Sequence, residues 1–166
     1  MKLIESAPEL YAHAIAMERE AAERYSEFAE RMEDEGRDAL AQVFANLADA
    51  EAAHLESLAL RTAGVVLPEI APGRYRWLDN GAPETPAREF IYRMMTPRQA
   101  LAIALHAERR AQAFFEHVFW TAQDPALRAL AKEMAAEERE HVAYIARLLG
   151  DTPVPSLDTT LVFERD

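Results

Sequence analysis

At 166 residues the chain can bury one sizeable core but is short for two, and an apolar half with only 5 glycines favours long helices over short strands. Its 29 acidic residues against 18 basic ones give a formal charge of -11, which argues against nucleic acid or an anionic membrane as partner. The lack of cysteine excludes disulfides, thiolate zinc sites, iron–sulfur clusters and cysteine nucleophiles.

The opening "MKLIESAPELYAHAIAMERE" has no apolar core of a secretory signal, and no stretch reaches the roughly 18 uncharged apolar residues of a spanning helix, so a cytoplasmic protein is expected. Four segments then carry a 3.6-residue apolar period. The first predicts a helix from about Pro8 to Glu33, stopped by "DEGRD" around Gly36, and the second a helix from near Asp38 to about Thr62, before Gly64. Thr96 followed by Pro97 is a cap-then-proline start for a third helix to about Thr121. Asp124-Pro125 repeats that device for a fourth, ending before Gly150. Between the second and third lies a crossover of about 64–96 with Pro68, Pro72, Pro83 and Pro86, long enough for a short helix at 87–95, whereas the other two connections are tight hairpins. Residues 1–150 thus predict an all-α four-helix bundle of two antiparallel hairpins, and 151–166 an extended tail.

The hairpins resemble each other: "EREAAERY" (18–25) lines up with "ERRAQAFF" (108–115), and "AEAAHL" (50–55) with "EEREHV" (137–142). Each of these segments sets a glutamate on its own apolar stripe. At roughly 100° per residue, Tyr11, Ile15, Ala21, Ala22, Tyr25 and Phe28 fall within about 80° of Glu18, while Glu20, Glu23, Glu27 and Glu30 point away. Glu51 and His54 lie among Phe44, Leu47, Leu55 and Leu58; Glu108 among Leu101, Leu105, Phe115 and Phe119; Glu138 and His141 among Ala131, Met134, Ile145 and Leu149. Glu133 and Glu140 face outward.

Glu-x-x-His alone is common in acidic helices, so position carries the argument. The point midway between Glu18 and Glu51 falls in the "DEGR" turn, and that between Glu108 and Glu138 falls on Gln123, beside the second turn. Residues equidistant from a hairpin turn share a height on antiparallel helices, so packing the hairpins together brings four carboxylates and two imidazoles to mid-bundle. Four ionised carboxylates in an apolar interior need positive charge among them, because each isolated buried charge costs several kcal/mol. Two divalent cations neutralise four glutamates, and mixed carboxylate–imidazole ligands suit iron, manganese or zinc. Glu18 and His54 are expected on one metal and Glu108 and His141 on the other, with Glu51 and Glu138 bridging.

Across residues 8–149 the motifs "MEREAAERY" (17–25), "LADAEAAHLESL" (47–58), "MTPRQALAIALHAERRAQAFF" (95–115) and "AAEEREHVAYI" (135–145) resemble the ferritin-like superfamily, most closely its rubrerythrin-type di-iron proteins. The resemblance implies a di-iron centre that reacts with dioxygen or hydrogen peroxide, and it carries over the same six ligands. The chain departs from that pattern in three ways. It lacks the cysteines of a rubredoxin module, so a separate electron donor is implied. It has Ala111 where rubrerythrins have a further glutamate ligand, and His141 where they have a glutamate. The resulting set of four glutamates and two histidines is similar to that of bacterioferritins and ferritin-like oxidases.

The expected function is therefore oxidation of Fe(II) with, or reduction of, hydrogen peroxide or dioxygen, in iron homeostasis or oxidative-stress protection. A metal-binding or storage protein holding iron, manganese or zinc without turnover, and a purely structural bundle, are the competing readings. Tyr25 and Tyr11 are expected chiefly as packing aromatics, with a hydrogen bond to a ligand carboxylate as the alternative. His13, His106 and His117 project off the ligand faces and are expected at the surface or an interface. Phe119, Trp120 and the crossover's Tyr75, Trp77, Phe90 and Tyr92 are more apolar area than a monomer exposes, which points to a homodimer unless the crossover buries them.

Overall fold

The computed structural model describes residues 3–70 and 96–150, and these form four helices: α1 (Ala7–Asp34), α2 (Asp38–Arg61), α3 (Pro97–Thr121) and α4 (Pro125–Leu149). Short polar side chains and prolines set the helix starts. Ser6 caps α1 by accepting the Glu9 amide, and Asp124 caps α4 by accepting the Ala126 amide at 3.2 Å. Thr96 and Gln99 form a reciprocal capping box at the start of α3, with side-chain-to-backbone contacts of 3.2 and 2.7 Å. α2 starts without a side-chain cap: Asp38 is its first helical residue, where its charge meets the positive end of the helix dipole.

The α1–α2 turn closes on Gly36, whose φ of 70° lies in the left-handed region that a side chain disfavours. There the Arg37 amide donates back to the Met32 carbonyl at 2.8 Å, satisfying a carbonyl that the end of α1 leaves open.

α1 packs along α2 and α3 along α4, each as an antiparallel hairpin, and the two hairpins close into a ferritin-like four-helix bundle. The core falls into two apolar clusters. One gathers Leu10, Ala14 and Met17 of α1, Leu58 of α2, Phe114, Phe115 and Val118 of α3 and Leu127, Leu130 and Met134 of α4. The other gathers Tyr25, Phe28 and Met32, then Phe44 and Leu47, then Ala100, Leu101 and Ala104, and finally Ile145 and Leu149. The start of α1 and the end of α3 therefore share one end of the bundle. α2 finishes at that end and α3 begins at the other, so no tight turn can join them.

Between the clusters, at the middle of all four helices, lie the candidate ligands. Among the described residues, no helix is long and apolar enough to cross a membrane. The expected helix at 87–95, the aromatics Tyr75, Trp77, Phe90 and Tyr92, and the tail 151–166 lie outside the described residues. Phe119 is half-buried beneath the Arg128 guanidinium, 5.1 Å from its ring centre, whereas Trp120 is 75% exposed.

Candidate metal centre

Glu18, Glu51, Glu108 and Glu138 are the four buried carboxylates among the described residues, each at most 5% exposed. The equidistance argument holds: one glutamate from each helix reaches the same level, and His54 and His141 join them with their rings stacked 5.1 Å apart and nearly parallel. His54 Nδ1 stands 3.5 Å from Glu18 Oε2 and 3.7 Å from Glu51 Oε2. His141 Nδ1 stands 3.0 Å from Glu51 Oε1, 3.4 Å from Glu108 Oε2 and 3.8 Å from Glu138 Oε2. Two compact donor sets result, Glu18–Glu51–His54 and Glu51–Glu108–His141, each with its donor atoms within 4.8 Å of one another.

Glu51 thus belongs to both sets, the place expected of a bridge. Glu138, expected to bridge as well, stands closer to one side: it reaches His141 and presses against Glu108, and both glutamates line a shared cavity.

The electrostatics follow from this crowding. Burial, then contact with the Glu51 carboxylate, pushes Glu18 up to about 9. Burial also acts to raise Glu51, but contacts with Glu18, His141 and His54 hold it well below the usual carboxylate range. Burial and the neighbouring Glu108 raise Glu138 well above that range. Contact with Glu18 and Glu51 lifts His54 to about 10; burial pulls His141 down, and Glu108 and Glu51 more than reverse it, also to about 10. The upward shifts of His54, His141, Glu18 and Glu138 all favour protonated forms, which offset the negative charge of the cluster.

They do not satisfy its geometry. Glu18 Oε2, both oxygens of Glu51, Glu138 Oε2, and the Nδ1 atoms of His54 and His141 are buried with no aligned hydrogen-bond partner among the described residues. Leaving such groups without aligned partners costs roughly 1–3 kcal/mol each unless a ligand lies between them. A cavity of about 30 Å³, lined by Met17, Ala21, Arg24, Ala107 and Ala111 along with the four glutamates, adjoins the cluster. A water-sized occupant needs roughly 10–15 Å³ or more, so the cavity has room for a small ligand. Carboxylate and imidazole donors at these separations fit divalent cations.

The Tyr25 hydroxyl donates to Glu108 Oε1, while its fully buried ring lies 6.3 Å from that of Phe44. Tyr25 therefore both packs and holds the Glu108 carboxylate. Tyr11 instead lies under the Arg61 guanidinium, 5.6 Å from its ring centre.

His106 and His117 are exposed as expected, but His13 is not: it is buried, its ring stacks on Phe114 at 5.9 Å, and its Nδ1 lies 2.9 Å from the Glu9 carbonyl. It projects only about 40° from Met17 at roughly 100° per residue, so α1 turns it into the core beyond the ligand layer. Sequence reasoning also passed over Glu137, whose Oε2 comes within 3.9 Å of His54 Nδ1. Its spacing of four residues from His141 puts it near the same helix face but does not fix the direction of its side chain.

A four-helix bundle that sets one buried glutamate per helix around a common cavity, with two histidines against those glutamates, has the arrangement of the carboxylate-bundle class of metal-binding proteins. The rubrerythrin family profile matches residues 9–69, and the ferritin-like domain profile matches residues 97–165. The crystal structure of an uncharacterized conserved protein from Magnetospirillum magnetotacticum MS-1 is 34% identical, with a TM-score of 0.76 over 92% of this chain and 99% of that one. No protein of curated function matches the chain. The chain belongs to the ferritin-like family, as a rubrerythrin-type member.

Proposed function

We propose that the chain binds two iron ions through Glu18, Glu51, His54, Glu108, Glu138 and His141, and uses them to oxidise Fe(II) with, or to reduce, hydrogen peroxide or dioxygen. The observation that carries this reading is the convergence of six buried, orphaned donor atoms, contributed by five of these residues, beside a small cavity. Iron bound there would supply one-electron redox chemistry beside that cavity.

The protein's own contribution is positional and electrostatic. Glu51 faces both histidines, and Tyr25 fixes the orientation of Glu108. The cavity beside the carboxylates has room for a diatomic molecule or a peroxide. Ala21, Ala107 and Ala111 keep that space open, and Arg24, tied to Glu20 at 3.2 Å, contributes to its wall. Substrate Fe(II) supplies the electrons when it is the species oxidised, and recycling of the bound iron draws on a separate donor, the chain having no cysteine to hold an iron–sulfur centre. The exposed Trp120 supports self-association as a homodimer, which sedimentation velocity checks.

Anaerobic titration with Fe(II), followed by addition of dioxygen or hydrogen peroxide, tests the reading. Two irons per chain and an oxidation-dependent absorption change on mixing are the expected result. Binding without oxidation would leave a storage role, and no binding would leave a structural bundle.

A further inference from the structure

Glu137 stands outside the six-residue set and meets it at His54. Its Oε2 lies 3.9 Å from the same Nδ1 atom that faces Glu18 and Glu51. Metal–ligand bonds of about 2.0–2.2 Å put two donors of one ion up to roughly 4 Å apart, so this pair can hold a single cation between them. Exposure falls stepwise along the row, from 35% for Glu137 through 24% for His54 to 2% and 1% for Glu18 and Glu51. At the inner end of that row, buried oxygens of Glu18 and Glu51 lack hydrogen-bond partners among the described residues. One turn earlier on α4, Glu133 is already engaged by both terminal nitrogens of Arg61, at 2.6 and 3.0 Å, which leaves Glu137 as the carboxylate turned toward His54.

We propose that Glu137 is the first protein ligand met by a divalent cation arriving from solvent, and that it passes the ion by way of His54 to Glu18 and Glu51. The proposal rests on the metal-binding reading above. The compact donor set at this corner is Glu18–Glu51–His54, so Glu137 belongs to the path and not to the resting site. A group that acts only on the path lowers the barrier in both directions and leaves the end state alone. Its removal therefore slows loading and unloading by the same factor.

The test uses Co(II), which does not require an oxidant and reports its coordination by visible absorption. Stopped-flow loading and chelator-driven unloading are compared for the full-length wild type, Glu137→Gln and Glu140→Gln, the last removing the same charge from an exposed position of the same helix. Glu137→Gln is expected to slow both rates by about fivefold or more with equilibrium affinity within about twofold of wild type, while Glu140→Gln shows only the weaker, salt-screened loss of steering. Rates for Glu137→Gln that match those of Glu140→Gln overturn the proposal. So does faster unloading with weakened affinity, which would make Glu137 a resident ligand. A wild-type chain that binds no Co(II) overturns this inference together with the metal-binding reading, whereas normal wild-type loading with an unaffected Glu137→Gln variant overturns this inference alone.

Discussion

His141 Nδ1 lies 3.0 Å from Glu51 Oε1, joining α4 of one hairpin to α2 of the other. The same Glu51 faces His54 within its own hairpin, so one carboxylate serves both donor sets. Replacing it is therefore expected to disable both positions, whereas Glu18→Gln removes a donor from one. Changes to the partners of metal ligands commonly cost 10–100-fold in affinity, so Glu51→Gln is expected to weaken cation binding by more than about 100-fold at both positions. Calorimetric titration resolves this, and two intact sites in the variant would contradict the bridging role.

Protons stand in for cations when the site holds none, and this fixes the sign of the pH response. Glu18 at about 9 and His54 and His141 at about 10 are all raised above their ordinary values of 4.5 and 6.5. A raised group contributes its full stability below its unfolded value and loses it as pH rises through the folded one. The metal-free chain should thus lose stability between about pH 5 and 10. Glu51, held low, acts in the opposite sense and loses its contribution in acid. Thermal melts of the metal-free protein should therefore peak in mild acid. Cation binding near neutral pH should release at least three protons, one each from Glu18, His54 and His141, measurable by titration in buffers of different ionisation enthalpy. Metal binding with no proton release would contradict this account.

The parts of this arrangement legible in the sequence are those that depend on period and distance along the chain. Thr96–Pro97 and Asp124–Pro125 mark helix starts by local chemistry, and the heights of Glu18, Glu51, Glu108 and Glu138 follow from their distances to two turns. The illegible parts depend on side-chain direction. Glu137 has a helix position compatible with either solvent or the cluster, and its approach to His54 is decided by how α2 and α4 face each other. His13 misses the ligand face and so reads as a surface or interface residue, but a helix packed between two neighbours buries more than one face. The Tyr25–Glu108 contact joins residues 83 apart, a pairing that no local pattern encodes.

That contact yields a prediction that separates packing from ligand support. Tyr25→Phe keeps the ring against Phe44 and removes only the hydroxyl that Glu108 accepts from. The loss of one buried, charge-assisted hydrogen bond should destabilise the metal-free fold by about 1–3 kcal/mol. The freed Glu108 should weaken cation binding by about tenfold or more. Denaturant melts measure the first effect and calorimetric titration the second. Unchanged affinity in a folded variant would reduce Tyr25 to a packing residue.

Ala111 tests whether the cavity is the oxidant's place. It lines the space beside Glu18, Glu51, Glu108 and Glu138, and its helix position is the one where the resemblance to rubrerythrins leads one to expect a further carboxylate. Ala111→Leu adds three carbons to a cavity of about 30 Å³ and should fill most of it, with overpacking that costs about 1–3 kcal/mol. None of the six donor atoms is altered, so Fe(II) stoichiometry should stay at the wild-type value. Oxidation of the bound Fe(II) on mixing with dioxygen or hydrogen peroxide should slow by about tenfold, because access and not ligation has been changed. A variant that binds iron normally and oxidises it at the wild-type rate would show that the oxidant approaches by another route. The half-buried side of His54, next to Glu137, would then be the first alternative to block.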